Sequence, residues 1–328
     1  MFRYRNKFQR VSWLNWEERK EIVKIAIYYY YQNLTQEQIA KKLNVSRPAI
    51  SRSLQKAKDY GIINFYIKDE SFQIVNLQSS LEEKYGLDKV IIAPAYHLSE
   101  HEVFNLVVKE AVHYLKDALK SVSTVGVSWG NTLSTLVREF PFEEIKHLTL
   151  LPLIGGISKM HIELHSNQIC YDLMKKLYCN SNFLNAPALA ENTLIKNAFY
   201  DSPPILEVLE AGKNVDMAIL GVASPYSSDN LMRKIGYTGN RDLKEFETLN
   251  VVGDINSRFF NREGKEVDCR INNNVIGVSL EDIKNIPNIV LIASGVQKSE
   301  AVLTAVKAGY AHTLIIDEKI GNYLMDNN

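Results

Sequence analysis

The chain has 328 residues, of which 46% are hydrophobic, and its formal net charge is zero. This length suggests two domains, and the apolar content supports a sizeable core, which excludes a globally disordered protein. No apolar run reaches the roughly 18 residues of a membrane-spanning helix, and no apolar stretch follows residues 1–10 as it would in a secretory signal. The three widely spaced cysteines resemble neither a zinc site nor a disulfide framework, so we expect reduced thiols, no bound metal and a cytoplasmic protein.

The neutral total conceals an uneven distribution of charge along the chain. Residues 1–68 contain 14 lysines and arginines but only 5 aspartates and glutamates, which gives a net charge of +9. The remaining residues therefore carry −9. A basic N-terminal part followed by an acidic body fits a polyanionic partner that binds at one end of the molecule.

Two short helices and a turn are predicted first in this basic part. Residues 17–32 place apolar side chains at helical spacing. A second helix starts at Thr35, because Thr35 and Gln38 match a capping box in which each side chain satisfies a free backbone amide. Asn44 and Val45 then form a tight turn, as in a helix-turn-helix domain.

The third helix is predicted from Ser46, a favoured N-cap residue, to about Tyr60. Pro48 is compatible with its first turn, where a backbone amide has no helical partner. Gly61 fits the left-handed position that follows a helix end. The weakly alternating residues 62–67 then indicate a wing strand.

Beyond this part the pattern changes to alternating strands and helices. We predict a helix-turn-helix DNA-binding domain at residues 1–69, a linker helix at 70–86 and an effector domain at 87–328. Short apolar strands between helices favour a Rossmann-like, mostly parallel α/β sheet covered on both faces. The predicted strands are Val90–Ala93, Thr124–Val127, Leu148–Ile154, Met217–Val222, Ile289–Ala293 and Thr313–Ile316. The predicted helices between them include Glu102–Leu119, Gln168–Leu177 and Ser299–Ala308.

The third helix has the character of a DNA-recognition helix. Such a helix presents polar side chains to base edges while its opposite face packs on the preceding helices. Arginine can fork onto guanine, serine can serve a base or a phosphate, and a glutamine at the start of the preceding helix can donate to a phosphate. The candidate DNA-binding residues are Gln36, Ser46, Arg47, Ser51, Arg52, Gln55 and Lys56.

A series of motifs along the chain resembles one bacterial family. The segment LTQEQIAKKLNVSRPAISRSLQKAKDYGII (Leu34–Ile63) resembles the helix-turn-helix of SorC-type regulators, which are sugar-responsive transcription factors. Further motifs follow in family order over nearly the whole chain: GVSWGNTL (Gly126–Leu133), PLIGG (Pro152–Gly156), ILGVAS (Ile219–Ser224), VVGDINSRFF (Val251–Phe260), NNVIGVSLEDIKNIP (Asn273–Pro287), SGVQKSEAVLTAVKAG (Ser294–Gly309) and LIIDE (Leu314–Glu318).

This resemblance implies a winged helix-turn-helix joined to an effector domain related to phosphosugar isomerases. It further implies a dimer or tetramer that binds double-stranded operator DNA. By the same resemblance, a phosphorylated sugar or related metabolite controls that binding, without any cofactor or membrane contact.

The residues themselves also predict a ligand site. In open parallel sheets, ligands bind at the carboxyl ends of strands. The predicted strand Thr124–Val127 runs into Ser128-Trp129-Gly130-Asn131-Thr132, where a glycine lets backbone amides approach an anion at a helix start. Lys298 opens another predicted helix, where its charge opposes the helix dipole and a bound phosphate would compensate it.

Further residues complete the predicted pocket. Glycine loops would bring backbone amides to the same sheet edge, Asp254 would accept hydrogen bonds from sugar hydroxyls, and Phe259 or Phe260 would cover the apolar face of a sugar. A plain strand-to-helix turn, a surface lysine and structural roles for these side chains are the alternatives. The candidate ligand-binding residues are Ser128, Gly130, Asn131, Thr132, Gly155, Gly156, Gly221, Asp254, Phe259, Gln297 and Lys298.

The chain departs from the family pattern at one position that bears on the ligand. Members often carry an arginine just before the Ile-Gly of the IGVSL segment, whereas this chain has Asn272-Asn273-Asn274-Val275. Either Arg270 or Arg258 substitutes for it, or the ligand carries less negative charge. The PLIGG loop contains Ile154, so no Schiff-base lysine is expected there.

Two other functions fit parts of the sequence. One is a sugar-phosphate isomerase or deaminase with a DNA-binding head, for which Asp254, His161 and His165 are the candidate acid–base groups. The other is a basic head that docks an acidic protein instead of DNA. We favour a regulator without enzymatic activity, because no candidate acid–base group has a clear partner in the sequence.

Overall fold

The computed structural model of the protein describes residues 15–63, 65, 69, 71–156, 161–228 and 230–327. The chain divides into two compact units, Met1–Phe72 and Gln73–Asn328. Residues 64, 66 and 67 of the predicted wing strand lie outside the described residues.

The N-terminal unit contains three helices: α1 (Trp16–Tyr30), α2 (Gln36–Leu43) and α3 (Arg47–Asp59). The predicted capping box is confirmed. The Thr35 amide donates to Gln38 Oε1 at 2.8 Å, and the Gln38 amide donates to Thr35 Oγ1 at 3.3 Å. Asn44 ends α2 in the left-handed conformation, which gives the tight turn before α3.

A small core of its own holds this unit together. Side chains from all three helices contribute to this core, and the polar side of α3 faces away from it. Because this cluster is the unit's main apolar burial, it sets the orientation of α3 against the other two helices. Its buried members are Ile25, Ile39, Ala40, Ile50 and Leu54.

The second unit alternates strands with helices, and helix α4 (Phe72–Tyr85) begins at the boundary before it. Its elements are β1 (Lys89–Ala93), α5 (Glu100–Ala118), β2 (Thr124–Val127), α6 (Asn131–Glu139), β3 (Thr149–Pro152), α7 (Ser166–Leu177), β4 (Asn180–Ser181), α8 (Thr193–Tyr200), α9 (Pro203–Lys213), β5 (Met217–Ala223), α10 (Leu231–Lys234), α11 (Asn240–Thr248), β6 (Val251–Ile255), β7 (Arg258–Asn261), α12 (Arg270–Asn274), α13 (Leu280–Lys284), β8 (Asn288–Ala293), α14 (Ser299–Lys307), β9 (Thr313–Asp317) and α15 (Glu318–Asp326).

The main sheet has the strand order β1-β9-β8-β5-β2-β3-β4, and every neighbouring pair along it is parallel. Large apolar clusters lie on both of its faces. This arrangement confirms the predicted α/β class, and each of the six predicted strands is present. Continuous apolar runs predicted these strands correctly because a parallel sheet covered by helices on both sides has no solvent-facing side.

An antiparallel hairpin of β6 and β7 was not predicted from the sequence. It continues from the end of β5, where Ala223 pairs with Asp254. Its two-residue turn, Asn256 and Ser257, has positive φ at both positions (53° and 60°), as in a type I′ hairpin. This hairpin brings β6 to the carboxyl end of the central strands.

Asn272 fixes the second strand of this hairpin. Its side chain accepts a hydrogen bond from the Phe259 amide and donates to the carbonyls of Phe259 and Val267, each at 2.8 Å. Asn272 is buried, so removing its side chain would leave the Phe259 amide and the Val267 carbonyl without this partner, whereas the Phe259 carbonyl would still accept from the Val267 amide at 3.1 Å. Each such group costs about 1–3 kcal/mol.

We therefore expect Asn272→Ala to lower the free energy of unfolding of the second unit by at least about 2 kcal/mol. Denaturant unfolding followed by circular dichroism measures it. Asn273→Ala is the matched control, because the Asn273 side chain is exposed and donates only to Asp268 among the described residues. A similar loss of stability in both variants would contradict this role of Asn272.

Candidate functional site

A cavity lies where the chain changes direction across the sheet. After β2 the chain adds β3 and β4 on one side, and after β5 it adds β8 and β9 on the other. The neighbouring strands β2 and β5 therefore form a topological switch point, where ligands of open α/β sheets bind. The cavity at their carboxyl ends has a volume of about 100 Å³. At the roughly 30 Å³ that one water molecule occupies in the liquid, this volume corresponds to about three water molecules.

Seven of the eleven predicted ligand-binding residues line this cavity. They are Ser128, Gly130, Asn131, Thr132, Gly221, Asp254 and Lys298. They come from the residues after β2, the start of α6, the last part of β5, strand β6 and the turn before α14. The remaining lining residues are Trp129, Val222, Ala223, Ser224, Ser227, Asn230, Leu231, Met232 and Asn256.

The start of helix α6 forms one wall of the cavity. Gly130 is its N-cap residue and has φ +111°, a conformation that L-residues rarely adopt. The Gly130 amide donates to the Leu164 carbonyl at 3.2 Å. Asn131 and Thr132 also line the cavity and belong to the first turn of α6. The backbone amides of a first turn have no acceptor within their own helix. This wall is therefore suited to an anion such as a phosphate.

A buried carboxyl group lines the same cavity as the helix start. Asp254 is only 6% exposed, and its Oδ1 atom is buried without a hydrogen-bond partner among the described residues. Burial raises the pKa of Asp254 to about 7, against the opposing effects of the Lys298 charge and the Ser257 amide. A buried carboxyl oxygen without a donor is placed to accept a hydrogen bond from a ligand hydroxyl.

The hairpin turn supplies a wall residue that sequence reasoning missed. Ser128 Oγ donates to Asn256 Oδ1 at 2.9 Å, and Asn256 Nδ2 donates to the Leu153 carbonyl at 3.0 Å. Beside it, Trp129 Nε1 donates to Ser257 Oγ at 2.8 Å. The signal in the sequence was limited to Asn256, a residue type that tolerates left-handed turn positions, because Asn-Ser is not one of the pairs typical of two-residue hairpin turns.

The loop after β5 forms another wall and was also missed, whereas the predicted Gly221 lies within β5 itself. Asn230 holds this loop in shape, because its Nδ2 donates to the Ser224 carbonyl at 2.9 Å and its Oδ1 accepts from the Arg233 amide at 3.0 Å. Leu231 and Met232 then bring apolar surface to the cavity. Extending the strand-end rule to the whole loop would have predicted these residues.

Four predicted ligand-binding residues lie elsewhere. The amides of Gly155 and Gly156 donate to the carbonyls of Ile276 and Ala186, so they are engaged in loop contacts. Phe259 is fully buried, with its ring 4.3 Å from that of Phe246. The amide group of Gln297 folds back over Gly295. These four residues do not line the cavity, and their contribution to ligand binding stays a prediction.

Neither arginine considered for the missing family cation reaches the cavity. The buried guanidinium of Arg258 donates to the carbonyls of Asn272 and Gly277 and to Glu266, at 2.8, 3.0 and 3.0 Å. Arg270 pairs with Asp242, at 2.9 Å. Both arginines stabilise the surroundings of the hairpin, and Lys298 is the one cation among the cavity-lining residues.

The residues proposed for enzymatic acid–base chemistry are not assembled in the structure. His161 lies 3.4 Å from Glu163, and neither His161 nor His165 lines the cavity with Asp254. The described residues hold no group of His, Cys, Asp and Glu side chains suited to a metal ion. Within the described part of the chain, no helix is both long and apolar enough to span a membrane.

The N-terminal unit exposes most of the candidate DNA-binding residues, and their contacts with DNA stay a prediction. Helix α3 buries Ile50, Leu54 and Ala57 and exposes its other side. Gln36 is the first residue of α2. The exposed residues on α3 include Arg47, Ser51, Arg52 and Gln55.

Two details of this surface differ from the sequence-based picture. Ser46 occupies the N-cap position of α3, but its side chain makes no capping hydrogen bond. Lys56 Nζ donates a hydrogen bond to Glu18 Oε1 of α1 at 2.7 Å, and this hydrogen bond raises the Lys56 pKa. Lys56 therefore braces α3 against α1.

Known proteins resemble this chain over most of its length. The model of the "Putative sugar-binding domain" family matches residues 69–326. The "Deoxyribonucleoside regulator" of Bacillus subtilis is 29% identical over 315 residues, which are 95% of this chain and 99% of that protein.

Solved structures agree with this comparison. The full-length sorbitol operon regulator SorC from Klebsiella pneumoniae is 27% identical, covers 94% of this chain and 99% of its own, and superposes with a TM-score of 0.75. A DeoR family transcriptional regulator from Listeria monocytogenes is 46% identical, covers 76% of this chain and 98% of its own, and has a TM-score of 0.72. These relatives are named as transcriptional regulators and not as enzymes.

The raised pKa of Asp254 makes the stability of the ligand-free protein depend on pH. The folded protein keeps a proton up to about pH 7, whereas an unfolded aspartate, with a pKa of about 4, has already released it. Stability therefore falls as pH rises through this window. We expect Asp254→Asn to raise Tm, and to raise it more at pH 8 than at pH 5, in thermal melts without ligand.

Asp216→Asn is the control of opposite sign. The amides of Ser123 and Thr124 donate to Asp216 at 2.9 Å each and lower its pKa, so its carboxylate is ionised and stabilising at both pH values. This variant should lower Tm by the same amount at pH 5 and pH 8. An equal gain from Asp254→Asn at the two pH values would contradict the buried, destabilising carboxylate.

Proposed function

Because the chain belongs to the sugar-binding domain family of SorC-type transcriptional regulators, we propose that α3 binds operator DNA and that a phosphorylated sugar in the cavity changes this binding. One observation carries the proposal: a helix start, a lysine and a buried carboxyl group line one cavity at the switch point. A ligand that binds one conformation of the regulator better shifts its equilibrium and thereby its affinity for DNA. Such a regulator acts in the cytoplasm as a dimer or tetramer, since paired heads bind paired half-sites.

The lining of the cavity favours a sugar with a single phosphate. Lys298 and the first turn of α6 provide one anion site, and Arg258 and Arg270 are engaged elsewhere. Asp254 provides a hydroxyl-accepting group that a second phosphate would repel. The names of the relatives, a deoxyribonucleoside regulator and a sorbitol operon regulator, support a sugar-derived effector.

Helix α4 is the element that we propose couples ligand to DNA. Gln78 Nε2 donates to the Val90 carbonyl and Glu82 Oε1 accepts from the Val90 amide, both at 2.8 Å. Tyr85 Oη donates to the Leu324 carbonyl at 2.7 Å. These bonds tie α4 to β1 and α15, so a shift of the sheet edge moves α4 with it.

Ligand binding is tested by thermal shift against a panel of pentose and hexose monophosphates. A ligand at 100 times its Kd adds about 2.7 kcal/mol of stability to the folded state, which is readily seen as a rise in Tm. We expect Lys298→Ala to remove at least half of that rise, because it deletes the charge opposite the phosphate. Lys307→Ala, an exposed change at the other end of α14, is the control and should leave the rise unchanged.

An undiminished shift in Lys298→Ala would exclude Lys298 from the anion site. No shift with any monophosphate would contradict the proposed effector class. Either result leaves the DNA-binding half of the proposal to be judged separately.

DNA binding is tested by gel shift on the region upstream of the protein's own operon. A lost arginine–base contact costs about 1–3 kcal/mol, so Arg52→Ala should weaken binding roughly 5- to 150-fold at fixed salt. Arg241→Ala removes the same charge from an exposed position on α11 and should have little effect. Equal binding by both variants would contradict the assignment of α3 as the DNA-reading helix.

A further inference from the structure

Helix α1 has two apolar faces, and only one of them is used inside its own unit. Ile22, Ile25 and Ala26 are buried. On the other side of the helix, Trp16 is 68% exposed and Ile27 is 43% exposed. The shallow groove along this outer face is lined by Trp16, Arg19, Lys20, Val23, Lys24 and Ile27.

The spacing of the outer face is that of a coiled-coil seam. Trp16, Lys20, Val23 and Ile27 are separated by four, three and four residues, the intervals of alternating a and d positions. The Lys20 ammonium group lies 5.3 Å from the centre of the Trp16 ring, so its carbon stem runs along the seam. A lysine at such a position is compatible with pairing of two helices.

We propose that the outer face of α1 binds α1 of a second copy of this chain in an antiparallel pair. In this arrangement Trp16 packs against Ile27 of the other copy, and Lys20 packs against Val23. The two-fold axis passes between residues 21 and 22. The occupant is thus the same surface of an identical molecule, as a two-fold symmetric interface requires.

The charges beside the seam select the antiparallel direction. Glu17 and Lys24 lie on the same edge of the seam, and in an antiparallel pair like edges meet, so Glu17 of each copy faces Lys24 of the other. In a parallel pair, Arg19 of each copy would instead face Lys24 of the other, which gives two contacts between like charges. Opposite charges therefore meet in one direction and like charges in the other.

The size of the contact indicates when it forms. A helix of 15 residues cannot bury the roughly 1,200 Å² that a stable interface needs. The α1 pair therefore forms only when the rest of the protein or the DNA brings two N-terminal units together. This tethering raises the effective concentration of one α1 near the other. A two-fold axis between the heads matches the two-fold relation of two operator half-sites.

Disulfide trapping tests this pairing in the full chain. The variant Trp16→Cys/Ile27→Cys is made in a Cys179→Ser background, because Cys179 is the partly exposed native thiol among the described cysteines. Positions 16 and 27 are roughly 16 Å apart along one helix, so their thiols can join only between copies. Mild oxidation, with and without duplex DNA, is followed by a non-reducing gel.

We expect most of the double variant to run as a covalent dimer in at least one condition, and neither single variant to do so. Dimers from Trp16→Cys alone would indicate a parallel pair and overturn the proposal. No dimer in either condition would also overturn the proposal. In that case, a lower Tm of the Trp16→Ala variant would indicate that another segment of the same chain covers this face. Glu37→Cys, an exposed position on α2, controls for chance collisions.

Charge reversal supplies an independent readout in the same trapped variant. Glu17→Lys alone and Lys24→Glu alone should each slow disulfide formation several-fold, because each creates two like-charge contacts. Combining Glu17→Lys with Lys24→Glu should restore the rate. Failure of the double reversal to restore it would contradict the antiparallel register.

Discussion

Parallel pairing of β2 with β5 is the constraint on which both the sheet and the cavity depend. Its register is fixed at the amino ends of the strands, where the Asp216 carboxylate accepts from the Ser123 and Thr124 amides and the Asp216 amide donates to Thr124 Oγ1. Once this end is fixed, Val127 at the end of β2 pairs with Ile219, and β5 continues beyond this pair to Ala223. The helix start after β2 and the loop after β5 then face each other across one crevice.

The crevice contains polar groups that lack hydrogen-bond partners among the described residues. Burial of Asp254 raises its pKa and leaves one carboxyl oxygen without a donor among the described residues. The first amides of α6 have no acceptor within their helix. A ligand with hydroxyl and phosphate groups satisfies both, so binding and stabilisation have the same physical origin.

Sequence patterns predicted the fold where burial alone determines the element. The six predicted strands are continuous apolar runs, and their alternation with helices implies a parallel sheet. The hairpin was missed although its strands are as long as β2 and β3, because Gly253, Asp254 and Arg258 interrupt its apolar residues. Strand β4 was missed because two residues, Asn180 and Ser181, carry no periodic signal.

The site was predictable where position along a strand determines it. Gly130 and Lys298 follow strand ends, and the strand-end rule placed both correctly at the cavity. The glycines at 155 and 156 fit the same rule, yet their amides pair with loops distant in sequence. Asn256 is the opposite case: it lines the cavity but was not predicted, because only the hairpin brings it there. Contacts between distant segments decide such cases, and a single sequence does not display them.

Coupling between the cavity and DNA requires an element that moves with the sheet and whose displacement changes the arrangement of the DNA-binding units. Helix α4 is tied to β1 through both backbone groups of Val90, so it follows the sheet instead of moving independently. If heads pair through α1, their separation is fixed when they bind, and a displacement of α4 then opposes that pairing. A modest shift at the sheet edge is thereby converted into a difference in affinity between two arrangements of the heads, which is what a coupling free energy between two sites requires.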